Sequence, residues 1–90
     1  MPQIDIYTRQ FCSYCAMAKR LLERRGLAYV EHDATGNAEM RAEMIQRSNG
    51  GTTFPQILID GTPIGGCDDL YELDASGALA RLVAARTISA

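Results

Sequence analysis

Cys12 and Cys15 are two thiols separated by Ser13 and Tyr14, a spacing that permits reversible disulfide chemistry. If a helix starts at Cys12, the sulfurs lie one turn apart and can close a small disulfide without unfolding anything. Cys12 would then face unpaired backbone N–H groups and the positive end of the helix dipole, which favour thiolate over thiol. This makes Cys12 the expected nucleophile and the more exposed thiol, with Cys15, inside the first turn, as the resolving partner. An ordinary cysteine of pKa ~8.5 is about 3% thiolate at pH 7, whereas one at ~5 is about 99%. Nucleophilicity falls as the pKa falls, with a slope of about 0.4–0.5, so the attack rate hardly changes. The benefit lies in making a good leaving group. The competing chemistry is half of a zinc site, but Cys67 and His32 are not arranged as a second ligand pair.

The elements that must hold these thiols follow from periodicity. Gln3 to Thr8 reads as a strand with Ile4 and Ile6 on one face and Asp5 opposite, feeding the motif through polar Arg9 and Gln10. From Cys15 to Arg25, Met17, Ala18, Leu21 and Leu22 recur at helical spacing opposite Lys19, Arg20, Glu23 and Arg24, and Gly26 ends the run. Ala28 to His32 reads as a second strand, parallel to the first, with His32 at its end as a surface residue without a partner. Asn37 can cap a second helix carrying Met40, Met44 and Ile45, which stops over Ser48 to Gly51. Gln56 to Ile59 and Thr62 to Gly65 flank Asp60-Gly61, the dipeptide of a tight hairpin, so the sheet is mixed. Asp68 to Ser76 reads as a third helix stopped by Gly77, Leu79, Leu82 and Val83 continue a last apolar face, and Arg86 to Ala90 reads as a frayed tail.

The chain of 90 residues, 47% of them hydrophobic, is expected to form a single domain, residues 1–90, around one core. A net charge of -2, with Lys and Arg scattered among Asp and Glu, gives no basic face for nucleic acid. No apolar run approaches the ~20 residues needed to span a bilayer, and the N-terminal residues do not read as a signal segment. Three cysteines, two of them adjacent in a motif, suit a reducing, cytoplasmic setting better than a disulfide-stapled one.

The run Tyr7-Thr8-Arg9-Gln10-Phe11-Cys12-Ser13-Tyr14-Cys15, then Thr53-Phe54-Pro55-Gln56, then Gly65-Gly66-Cys67-Asp68-Asp69-Leu70, resembles the bacterial-type dithiol glutaredoxins over essentially the whole chain. The resemblance implies an α/β thioredoxin-type fold, with a four-stranded mixed sheet in βαβαββα order and helices on both faces. It further implies a glutathione-dependent thiol-disulfide oxidoreductase acting on disulfide-containing or glutathionylated proteins, a monomer in its ordinary state. On this reading Pro55 is cis and turns the Phe54 backbone outward to pair with the cysteine residue of glutathione as an added strand, with Thr53 beside it among the glutathione-binding residues. Gly66, Cys67 and Asp68 receive the γ-glutamyl end, with Asp68 meeting the ammonium and also serving as an N-cap. Arg9, where the family usually has Lys, and Arg41 receive the glycine carboxylate. By position, Tyr14 between the thiols is expected to line the groove, Lys19, seven residues after Cys12 on a similar helix face, to help hold the thiolate, and Cys67 to be a small buried residue beside the groove. Two residues depart from the family pattern. Phe54 stands where valine is usual, and Ser13 replaces the usual proline, which motivates an alternative: a dimer in which Cys12 of each chain and two glutathiones ligate a [2Fe–2S] cluster.

Overall fold

In a computed structural model the eight elements are β1 (Ile4–Thr8), α1 (Ser13–Arg24), β2 (Val30–Asp33), α2 (Ala38–Arg47), β3 (Gln56–Ile59), β4 (Thr62–Gly65), α3 (Cys67–Ala75) and α4 (Ala78–Ile88). The structure describes residues 2–88, with side chains through residue 84. Two features differ from the sequence expectation. The last apolar face is a separate fourth helix, because Gly77, at φ 83°, breaks α3 from α4. The tail expected from Arg86 is helical as far as Ile88, while Ser89 and Ala90 lie outside the described residues.

The sheet runs β2-β1-β3-β4, with β2 parallel to β1 and the other pairs antiparallel. Strand alternation assigns the two faces. Ile4 and Ile6 of β1 stand opposite Ile59 and Ile57 of β3, and on that face they pack with Ala18, Leu21 and Leu22 of α1, Leu70 of α3 and Leu79 of α4. Tyr7 and Leu58 point the other way, onto Met44 of α2. Each such side chain contributes about 1.5–3 kcal/mol when fully buried. The hairpin turn has the expected residues, Asp60 at φ 50° and Gly61 at φ 81°, the positive pair that a type I′ turn requires. Asn37 caps α2 as expected, its side chain accepting from the Met40 N–H at 3.0 Å.

Asp5 lies on the face opposite Ile4 and Ile6, as its strand position predicted, but it is buried there, which the sequence did not indicate. His32 Nε2 lies 2.8 Å from one Asp5 oxygen, and Arg47 Nη2 of α2 donates to the other at 3.3 Å. Arg47 Nη1 also donates to the Tyr7 hydroxyl at 2.7 Å, which in turn donates to Glu43. His32 is therefore not the unpartnered surface residue expected: it is half-buried, bonded to Asp5, and stacked on Tyr7 with ring centroids 4.5 Å apart. A contact spanning β1, β2 and α2 leaves no trace in local spacing.

Burial opposes the Asp5 charge, but the hydrogen bonds from His32 and Gln3 and the Arg47 guanidinium outweigh it and hold the carboxyl below its usual range. A carboxyl depressed in the folded state stabilises above its unfolded pKa of ~3.9 and loses that contribution as pH falls below it. Asp5→Asn should therefore cost about 1–3 kcal/mol at pH 7, since it leaves Arg47 and His32 with a neutral partner. In urea unfolding the gap to wild type should narrow between pH 7 and pH 3, and an equal gap at both would contradict the assignment.

Candidate active site

β1 ends at Thr8, and the chain turns through Arg9, Gln10 and Phe11 before α1 begins. That loop is held by the Gln10 N–H, which donates to the Thr35 hydroxyl at 2.8 Å. Phe11 adopts φ 56°, a left-handed conformation uncommon for a bulky residue, and its ring is 99% exposed directly beside the thiol pair. Neither feature is legible in the sequence, because a phenylalanine in a loop normally predicts burial.

Cys12 is the N-cap of α1, extended at φ -118° and ψ 104°, and its sulfur accepts the Cys15 N–H at 3.2 Å. The same sulfur lies 3.9 Å from the Phe54 carbonyl oxygen. As a thiol it can donate to that carbonyl, and as a thiolate it can accept from the amide, so the site accommodates both forms. The two thiols differ sharply in access: Cys12 is partly exposed and Cys15 is buried. Burial, reinforced by the neighbouring Cys12 sulfur, pushes the Cys15 thiol well above its ordinary range.

The Phe54–Pro55 peptide bond is cis, as the resemblance implied. Gln56 braces this turn, donating from Nε2 to the Thr53 carbonyl at 2.9 Å. On one side Tyr14, Thr53, Phe54 and Pro55 line a cleft of about 370 Å³ together with Gly65, Gly66, Cys67, Asp68 and Asp69. On the other side Tyr14, Thr53 and Phe54 line a second cleft of about 790 Å³ with Arg9, Phe11 and Arg41. The expected groove residues are thus divided between two clefts that share Tyr14, Thr53 and Phe54, and Cys12 adjoins them through the Phe54 carbonyl. Arg9 forms no ion pair with a described carboxylate; its guanidinium carbon lies 5.7 Å from the centroid of the Phe54 ring.

At the start of α3 one expectation changes. The N-cap is Gly66, not Asp68, and the carboxylate that satisfies it belongs to Asp69, whose Oδ2 accepts the Gly66 N–H at 2.9 Å. Asp68 is left exposed in the first turn, free of that capping duty. Gly65 has to be glycine: its φ is 108°, and a Cβ there would stand 2.2 Å from Asp69 Oδ2. Cys67 is buried, and burial raises its thiol pKa, with the Asp68 charge adding to the effect. Lys19 does not serve the thiol pair as expected, because its ammonium pairs with Glu31 at 3.1 Å. A further cavity, about 520 Å³ and lined by Leu27, Tyr29 and Val30 among others, lies at the opposite end of the strands, and no thiol lines it.

The sequence profile described as Glutaredoxin matches residues 4–64. Glutaredoxin 3 of Escherichia coli (strain K12) is 54% identical over 79 residues, which cover 88% of this chain and 94% of that protein. The solution structure of glutaredoxin from Brucella melitensis superposes with a TM-score of 0.76 at 51% identity, covering 89% of this chain and 86% of that one. A crystal structure of a buckwheat glutaredoxin–glutathione complex superposes with a TM-score of 0.77 at 27% identity, covering 87% and 73%.

The contrast between the thiols can be measured. In the reduced protein, iodoacetamide labelling read by peptide mass spectrometry should modify Cys12 first at pH 7. The Cys15 rate should keep rising, about tenfold per pH unit, through pH 9, because only its thiolate reacts and burial keeps that form scarce. A plateau near pH 8 would contradict burial as the control.

Proposed function

The chain belongs to the glutaredoxin family of thiol-disulfide oxidoreductases, and from that premise we propose that it is glutathione-dependent, with Cys12 as the exchanging sulfur. The observation that carries the reading is the position of that sulfur, accepting an α1 amide at 3.2 Å and lying 3.9 Å from the carbonyl oxygen of Phe54, a residue that lines both clefts.

Glutathione is an elongated tripeptide with a carboxylate at each end and an ammonium beside one of them. The cleft at the start of α3 supplies N–H groups at a helix N-terminus for the γ-glutamyl carboxylate, and the exposed Asp68 carboxylate beside them for the ammonium. The other cleft supplies Arg9 and Arg41 for the glycine carboxylate. Between them the Thr53 and Phe54 backbone offers main-chain pairing to the cysteine residue, which reads no side chain and tolerates varied partners. These residues suit the ligand in charge and in order along the groove.

In the reaction the Cys12 thiolate attacks the glutathione sulfur of a glutathionylated protein, forming a Cys12–glutathione disulfide and expelling the protein thiolate, which takes up a proton. A second glutathione, as thiolate, attacks the bound glutathione sulfur, releasing oxidised glutathione and the Cys12 thiolate. The helix amides that hold a negative sulfur serve this last step, since they stabilise the leaving group. With a protein disulfide, Cys12 attacks one sulfur and Cys15 then attacks Cys12, closing the Cys12–Cys15 disulfide and freeing the substrate dithiol. Cys15 must first lose its proton, and its raised pKa delays closure and gives glutathione time to compete. Both routes need a reducing pool of thiols, so the reading places the chain in the cytoplasm.

With a glutathionylated peptide, glutathione and a system that reduces oxidised glutathione, Cys12→Ser should abolish turnover and Cys15→Ser should retain it. Equal loss in the two variants would overturn the one-thiol route.

A further inference from the structure

Phe54 is fixed from below and used from above. Its ring packs against the cluster of Tyr7, Met44 and Leu58, beside Met40 and Ile45 of α2. The Arg9 guanidinium carbon rests 5.7 Å over the ring centroid, and both side chains line the same cleft with Arg41 and Thr53. A long arginine side chain in a solvated loop otherwise samples many rotamers, and ordering it on binding weakens the complex. A guanidinium resting on an aromatic ring is already held, while its in-plane N–H donors remain free for a carboxylate.

We propose that the Phe54 ring is a platform that pre-positions Arg9, so that an aromatic side chain at this position sets how strongly the chain selects ligands carrying the terminal glycine carboxylate. The inference rests on the glutathione reading and adds a specificity-determining role for a side chain that the reading uses only through its backbone. A branched aliphatic residue at 54 could fill the space over α2 but has no negative ring face to offer a cation. Arg9 would then pay its ordering cost at each encounter.

The test compares two substrates that differ only in that carboxylate: a peptide mixed disulfide with glutathione, and the same peptide with γ-glutamylcysteine, which lacks the glycine. The ratio of kcat/KM for the two is taken within each variant, so loss of folded protein cancels. Phe54→Leu should lower the ratio about two- to fivefold, the size of an exposed cation–π contact. Phe54→Tyr should keep it, and in an Arg9→Met background Phe54→Leu should have no further effect. An unchanged ratio in Phe54→Leu, a loss in Phe54→Tyr equal to that in Phe54→Leu, or an undiminished effect without Arg9 would overturn the platform. A wild-type chain that treats both substrates alike would instead overturn the glycine-carboxylate assignment itself.

Discussion

The hydrogen bond from the Cys15 amide to the Cys12 sulfur ties the chemistry of the site to the fold. It exists only because α1 starts where it does, with Cys12 extended and Ser13 already helical. That start is imposed from a distance: Ala18, Leu21 and Leu22 bury the far side of α1 against Ile4, Ile6, Ile57 and Ile59 of the sheet. β1 delivers the chain to the same point from the other direction. The sulfur is therefore positioned by a packed helix and a central strand, and a group held in this way keeps its donor geometry without reorganising when its charge changes.

The second consequence is asymmetry. One turn of helix puts one thiol partly at the surface and the other under it, so two chemically identical side chains differ in access, and burial holds the Cys15 proton on. The groove around them is built on both layers. α3 presents its start from one face of the sheet, while α2, carrying Arg41 and supporting Phe54, lies on the other. The bonds among Asp5, His32, Arg47 and Tyr7 fix α2 to β1 and β2, and thereby bear on the clefts without touching them.

What could be read from the sequence was whatever depends on near neighbours. Asp60-Gly61 specifies its turn by conformation, Asn37 specifies its cap by reach, and alternation in β1 assigns its faces. The thiol pair was legible because its function and its helix start are the same local fact. The cis bond at Pro55 came from resemblance, since nothing in the residues alone fixes it. The rest depends on which distant segments meet. Asp68 and Asp69 are equivalent in sequence, and only the register of α3 decides that Asp69 reaches the Gly66 amide. His32 gains Asp5, Lys19 gains Glu31, and Arg9 gains Phe54 through strand pairing and a loop that spacing does not encode. The fourth helix was hidden for a different reason: Gly77 signals a stop, and the run after it, ALARLVAARTI, is apolar nearly all round and so shows no polar face to set it apart as a helix of its own.

The most direct measurement is the structure of the Cys15→Ser protein carrying glutathione as a disulfide on Cys12, by crystallography or by nuclear Overhauser contacts in solution. The account predicts the tripeptide lying along the Thr53 and Phe54 backbone, its γ-glutamyl end at Gly66 to Asp68 and its glycine carboxylate at Arg9. A tripeptide tethered at Cys12 but ordered against none of these groups would contradict it.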